Sequence, residues 1–216
     1  VQPIPPGCTG PINLIGTITP GQISPYSNLP ANTMLLDANT QISICFSGTH
    51  TWVSDLAFYV RGPASCGSPT VLLSPNPGAN GQGSVCNSGN NINNLCFSSE
   101  SNATLNVCNP APATLQGTYG RYGPGAGTPI NWNPLFGCDA SNGGWSVQIY
   151  DCIGGDTGSL TDATLTFTGT SVCGASQTVT YSTPNNYSSF IADNSCSSAS
   201  ASIFTVTPSI PPPIAC

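Results

Sequence analysis

Gly143-Gly144-Trp145-Ser146-Val147-Gln148-Ile149-Tyr150-Asp151, followed by Asp156-Thr157-Gly158 and Ala163-Thr164-Leu165-Thr166-Phe167, is the stretch that decides the fold class. In the two outer segments, apolar residues alternate with polar ones, which is the period of a strand with one buried face. Asp and Gly in the middle suit turns, because Asp side chains cap nearby amides and Gly supplies positive φ. The stretch therefore predicts strand, turn and strand in an antiparallel arrangement.

The same alternation recurs along the chain, most clearly at Gln41–Phe46 and Leu56–Arg61. Weaker candidates are Leu105 with Val107, Val179 with Tyr181, and Phe204 with Val206. Strong helix formers are scarce, whereas 24 Gly and 21 Pro, with Ser, Thr and Asn, fill the connections. We expect an all-β fold: an antiparallel, jelly-roll-like β-sandwich stapled by disulfides, with a short C-terminal β annex.

Composition indicates an extracellular protein. The chain has eleven cysteines and lacks the close C-x-x-C pairs that metal sites usually show, so disulfides are expected. A net charge of −6 and a pI of about 4.1 argue against nucleic acid and anionic membranes as partners. No apolar run is long enough to span a bilayer, and the chain reads as mature material from a larger precursor. The cysteines predicted to form disulfides, with the pairing left open, are Cys8, Cys45, Cys66, Cys86, Cys96, Cys108, Cys138, Cys152, Cys173, Cys196 and Cys216.

Two motifs together resemble the proprotein-convertase P-domain family. The opening stretch, ending in Leu165-Thr166-Phe167, is similar to the family's closing signature, and His50-Thr51-Trp52-Val53-Ser54-Asp55-Leu56 is similar to its earlier motif. The resemblance covers roughly Cys8 to Thr170 and implies a β-sandwich module. In convertases this module accompanies a separate subtilisin-like catalytic domain, and the one histidine here lies inside a strand motif. We therefore expect no enzymatic activity and no catalytic residues.

Calcium is the one cofactor that the motifs suggest. Calcium takes six to eight oxygen ligands, and Asp55, Asp151 and Asp156 occupy motif positions where turns present such oxygens. Some P-domain relatives bind calcium. The alternative is that these aspartates only cap turns.

Two long connections are expected at the surface, Ser74 to Asn94 and Gly117 to Asn133. The first is expected to be closed by the cysteines nearest to it, Cys66, Cys86, Cys96 and Cys108. In the second, three aromatic residues suggest a glycan site, the alternative being that they cover the open end of the sandwich: Tyr119, Tyr122 and Trp132.

The two ends of the chain resemble each other. Ile4-Pro5-Pro6-Gly7-Cys8 is similar to Ile210-Pro211-Pro212-Pro213-Ile214-Ala215-Cys216, which suggests a repeat boundary with semi-rigid, proline-rich joints. The expected organisation is a linker at 1–7, the sandwich at 8–170, a β annex at 171–207 and a linker at 208–216. The annex, with Cys173 and Cys196 as a candidate closing pair, is expected to dock on its own sandwich or on the next module.

These patterns favour a structural repeat unit of a secreted cell-surface filament or adhesin, serving spacing, tensile strength and adhesion. Its partners would be neighbouring copies of the same module and surface glycans. The alternatives are a carbohydrate-binding module and a P-domain accessory of a secreted protease.

Overall fold

The computed structural model describes residues 14–18, 34–75, 90–106, 113–140, 142, 144–151, 156–170, 176–182, 189–191 and 207–209. Fourteen strands lie in these ranges, and their bounds follow in chain order. They are β1 Leu14–Ile18, β2 Gln41–His50, β3 Leu56–Arg61, β4 Thr70–Ser74, β5 Ile92–Ser98, β6 Thr104–Leu105, β7 Leu115–Tyr119, β8 Arg121–Tyr122, β9 Thr128–Pro129, β10 Ser146–Asp151, β11 Gly158–Thr170, β12 Ser176–Ser182, β13 Ser189–Ile191 and β14 Thr207–Ser209.

Helical structure in the described ranges is limited to short 3₁₀ turns, at Val53–Asp55, Ala64–Cys66 and Asn133–Leu135. The prediction of an all-β chain is confirmed. Within the same ranges, no helix has the length and apolarity needed to cross a membrane.

Two large sheets form a β-sandwich-like arrangement. The smaller has the order β1-β10-β3-β4, and the larger has the order β14-β12-β11-β2-β5-β7, with β13 also paired to β11. A third, small sheet has the order β6-β8-β9. The jelly-roll connectivity stays a prediction.

The hydrophobic core lies between the two large sheets. Phe58 of the smaller sheet packs between Phe46 and Phe97 of the larger one, with ring centroids 5.4 Å and 5.6 Å away. At another point Trp145, just before β10, packs on Phe167 of β11 at 4.5 Å. Because these aromatic residues are at most 1% exposed, each joins the sheets through a dry contact. The apolar sets that alternation predicted in β2, β3, β10 and β11 are all buried here.

Strand β10 differs from the prediction of one buried face, because all six of its residues are buried. Its polar residue Gln148 is 2% exposed and accepts a hydrogen bond from the Tyr150 hydroxyl at 3.2 Å. The ring of Tyr59 packs on Tyr150 from neighbouring β3 at 5.5 Å. Since β10 is a central strand, long side chains on it and its neighbour cover the second face as well.

Two strand pairs depart from the expected antiparallel pattern. β5 pairs with β7 in parallel, and β6 pairs with β8 in parallel. The second predicted loop, Gly117 to Asn133, contains β8 and β9 in place of continuous irregular chain. Two-residue strands carry too little alternation to be recognised in a sequence.

Two disulfides connect the described cysteines. Cys45 and Cys96 are cross-strand partners in β2 and β5, with Cα atoms 4.0 Å apart. Cys66, in the turn after β3, is bonded to Cys138. The expectation that Cys66 and Cys96 close the Ser74 to Asn94 connection is therefore wrong, because each pairs with a cysteine brought near by sheet packing. The remaining predicted disulfide cysteines lie outside the described residues.

The predicted C-terminal annex contributes backbone to the larger sheet. β12 pairs with β11 from Thr164↔Ser182 to Thr170↔Ser176, and β14 pairs with β12. β14 includes Pro208 and Ser209, which belong to the predicted linker 208–216. The domain boundaries stay a prediction, and the linker 1–7 lies outside the described residues.

Substitution of Gly158 by Ala is expected to destabilise the fold by about 2–3 kcal/mol, because overpacking a tight contact costs this much. Gly158 faces His50 across β2 and β11, and a Cβ atom there would overlap the carbonyl oxygen of Thr49. Urea unfolding measures the change. Gly125→Ala is the comparison variant, since its Cβ atom would meet nothing within 4 Å. Its φ of +62° is left-handed, so the alanine costs about 1 kcal/mol through backbone strain alone, and Gly158→Ala should lose more. Equal losses of stability in the two variants would contradict the close contact between Gly158 and the backbone of Thr49.

Candidate functional site

Four ionisable side chains come together where β2 and β10 end and β11 begins. His50 is the last residue of β2, Asp151 is the last of β10, and Asp55 ends the 3₁₀ turn that follows β2. Asp156 lies just before β11. All three aspartates predicted as candidate calcium ligands are thus found in one region, with the single histidine among them.

His50 and Asp151 form a buried pair. The Nε2 atom of His50 lies 3.3 Å from Oδ2 of Asp151, and the two residues are 1% and 2% exposed. The Nδ1 atom of His50 accepts a hydrogen bond from the backbone N–H of Trp52 at 3.1 Å. Nε2 therefore carries the ring hydrogen and donates it to Asp151. With both nitrogens engaged, the imidazole has no nitrogen free to activate a serine or cysteine nucleophile.

Asp156 lies at the edge of this cluster of four ionisable side chains. Its Oδ1 atom accepts a hydrogen bond from the Thr51 hydroxyl at 2.7 Å, and the same hydroxyl oxygen accepts the backbone N–H of Thr157 at 3.2 Å. These contacts fix the start of β11 against the end of β2.

Of these four ionisable side chains, Asp55 has the least favourable surroundings for a negative charge. Burial, and then the charges of Asp151 and Asp156, raise its pKa to about 7. The residue is 3% exposed, so water does little to relieve the repulsion. Near neutral pH this carboxyl group is only partly ionised.

The calcium prediction stays a prediction. Among the residues that the structure describes, no three or more His, Cys, Asp or Glu side chains are placed to hold one metal ion. The oxygen atoms of Asp151 and Asp156 that are nearest to His50 and Thr51 already take part in hydrogen bonds. The test is the melting temperature in excess calcium and in chelator. A rise with calcium would support binding, and an unchanged melting temperature would sink the prediction.

The raised pKa of Asp55 predicts a specific pH dependence. Folded Asp55 keeps its proton up to about pH 7, whereas in the unfolded chain its pKa has the ordinary value of 3.8. Folding therefore takes up a proton between these values, so this group's contribution to stability falls as pH rises from about 4 to about 7 and is lost above that. Asp55→Asn cannot ionise and should remove this slope.

The measurement is the free energy of unfolding from pH 4 to pH 8, in chelator, for the original chain and for Asp55→Asn. The variant is expected to gain stability relative to the original chain at the alkaline end. If the free energy of unfolding changed with pH in the same way in both proteins, the raised pKa of Asp55 would be contradicted.

The predicted glycan residues do not form one exposed surface. Trp132 is 8% exposed and belongs to the core, so its indole has little surface left for a sugar. Tyr119 and Tyr122 are half-buried against that core, and burial raises the pKa of both phenols. The Tyr119 hydroxyl donates to the carbonyl of Gln116 at 2.8 Å. This packing is compatible with the alternative, in which the aromatics cover the open end of the sandwich. The glycan site at these residues stays a prediction.

Two features of this region could not be read from the sequence. The His50–Asp151 contact joins residues 101 apart in the chain. Asn90 and Asn91 lie beside His50, and the Asn91 backbone N–H donates to the His50 carbonyl at 2.9 Å. The one signal in the sequence is that Gly89-Asn90-Asn91 directly precedes an apolar residue, as a turn before a strand does.

Comparisons with models of protein families, with curated proteins and with solved structures gave no match. The two disulfides indicate an oxidising, extracellular-type compartment.

Proposed function

We infer that the chain is a P-domain-like structural repeat unit of a secreted cell-surface filament or adhesin. The observation that carries this proposal is the interleaving of the two disulfides. Cys66 lies between Cys45 and Cys96, whereas its partner Cys138 lies beyond both. The two covalent loops therefore overlap, so opening one bond leaves part of the shared chain closed by the other.

Interleaved bonds suit a module under tension. The Cys66–Cys138 bond removes 72 residues from the path along which force travels. The Cys45–Cys96 bond, with a separation of 51, lies across the same region and limits extension if the first bond opens. Each bond also stabilises the fold by restricting the unfolded chain, commonly by about 2–4 kcal/mol.

The surface chemistry supports an exposed polymer. Only 5% of the residues are charged, and Arg61 and Arg121 are the only lysine or arginine residues in the sequence. Arg121 donates from Nε to the carbonyl of Ala126 and from Nη2 to that of Gly127, so it stabilises its own loop. With no lysine and two arginines, the chain offers trypsin few sites.

The proposal is tested by labelling source cells with an antibody raised against the folded module. Labels on intact cells, spaced regularly along surface fibres, are expected. Labels that appear only after permeabilisation would contradict it. Co-purification of single copies with a proteolytic subunit would favour a protease accessory instead.

A further inference from the structure

A cavity of about 380 Å³ lies at one end of the larger sheet. It opens where β2 ends and β11 begins, next to the residues that precede β5. Its volume is near the lower end of the range of small-molecule sites, roughly 300–1,000 Å³. The lining residues are Thr49, His50, Thr51, Asn90, Asn91, Thr157, Gly158 and Ser159.

Most of the residues that line the cavity carry an uncharged group that can form hydrogen bonds. Four of the eight residues carry a hydroxyl and two carry an amide. The hydroxyls of Thr49 and Ser159 lie 3.0 Å apart across β2 and β11, so they are held as a pair at the wall. Hydroxyls and amides each donate and accept hydrogen bonds, as sugar hydroxyls do.

Asn91 is fixed at the mouth of the cavity. Its φ angle is +75°, in the left-handed region that side chains other than Gly seldom occupy. Its backbone is held on both sides, because its N–H donates to the His50 carbonyl and its own carbonyl accepts from Leu115 N–H at 3.0 Å. The residue is exposed, so a fixed backbone presents its side-chain amide to solvent at this point.

The floor of the cavity is rigid. His50 is 1% exposed, and both of its ring nitrogens are engaged, with Asp151 and with the backbone of Trp52. A ligand would therefore meet a wall and floor that need little reordering, which lowers the entropic cost of binding.

Charge around the cavity selects against anions. The lining contains no arginine. Asp156 lies next to the cavity, because its carboxylate accepts a hydrogen bond from the lining residue Thr51. A carboxylate or sulfate would meet repulsion with no compensating cation.

We propose that this cavity binds a neutral saccharide through the hydroxyl pair of Thr49 and Ser159 and the amides of Asn90 and Asn91. The site differs from the aromatic loop at Tyr119 and Tyr122, and it does not depend on whether the module forms a filament.

The test uses neutral gluco-, manno-, xylo- and chito-oligosaccharides as probes, with oligogalacturonate and a sulfated oligosaccharide for comparison. Binding is measured by array and then by calorimetry on the whole chain. At least one neutral probe should bind, and the two anionic probes should not. Asn91→Gly removes the amide yet relieves the left-handed backbone, so it should keep the melting temperature and weaken binding about threefold or more.

Thr49→Val should weaken binding by a similar factor, because it keeps the shape but removes the hydroxyl. Ser43→Ala, on the same strand outside the cavity, is the matched control and should bind as the original chain does. The proposal is overturned if no neutral probe binds, if only an anionic probe binds, or if Tyr122→Ala abolishes binding that Asn91→Gly and Thr49→Val leave intact.

Discussion

Reduction of the disulfides is expected to lengthen the unfolded module by at least about 240–260 Å when it is pulled between flanking marker domains. The Cys66–Cys138 bond excludes 72 residues from the stretched path, and an extended chain spans about 3.3–3.6 Å per residue. Single-molecule force extension, with and without reductant, measures the difference in contour length.

The interleaved arrangement gives two matched variants with different outcomes. Removing the shorter loop with Cys45→Ser and Cys96→Ser should leave the oxidised contour length unchanged. The stretched path follows the chain to Cys66 and then crosses the Cys66–Cys138 bond, whether or not the shorter loop is closed. Removing the longer loop with Cys66→Ser and Cys138→Ser should add about 70–75 Å, since the remaining bond keeps 51 residues out of the stretched path where the longer loop kept out 72. Equal contour lengths before and after reduction would contradict a covalent limit on extension.

Replacement of His50 by Leu is expected to lower the free energy of unfolding by about 3–5 kcal/mol, the usual cost of breaking a buried pair from one side. The change removes a donor from the Asp151 carboxylate, which is 2% exposed, and an acceptor from the Trp52 backbone N–H. Urea unfolding at pH 7 measures the loss.

His50→Gln is the matched control, because an amide can still donate a hydrogen bond towards Asp151, and it should lose less stability. The double variant His50→Leu with Asp151→Leu should be more stable than His50→Leu alone, because it also removes the buried charge. A loss below about 1 kcal/mol in His50→Leu would contradict the structural role of the pair.

The sheets were predictable from the sequence where a strand is long and has a regular alternation. In β2 and β11 the apolar residues recur at every second position, and the structure buries that set. Alternation does not encode which strands become neighbours, so the parallel pairing of β5 with β7 was not predicted. It also does not show when the polar side of a central strand is covered, as at Gln148.

The candidate site was predictable only in its residue types. Turn motifs drew attention to Asp55, Asp151 and Asp156, but sequence spacing gave no reason to place His50 against Asp151, since sheet packing makes that contact. The cysteine pairing was missed for the same reason, because Cys66 and Cys138 are separated by 72 residues and meet through folding of the sandwich. Nearness in sequence was a poor guide to partners in a fold made of long-range strand pairs.

Electron cryomicroscopy of the native material tests the central claim most directly. If the chain is a structural repeat unit, the images should show fibres with a regular axial repeat of one sandwich module. A map of that repeat should accommodate both interleaved disulfides. Isolated monomers, or single modules attached to a catalytic subunit, would contradict the account.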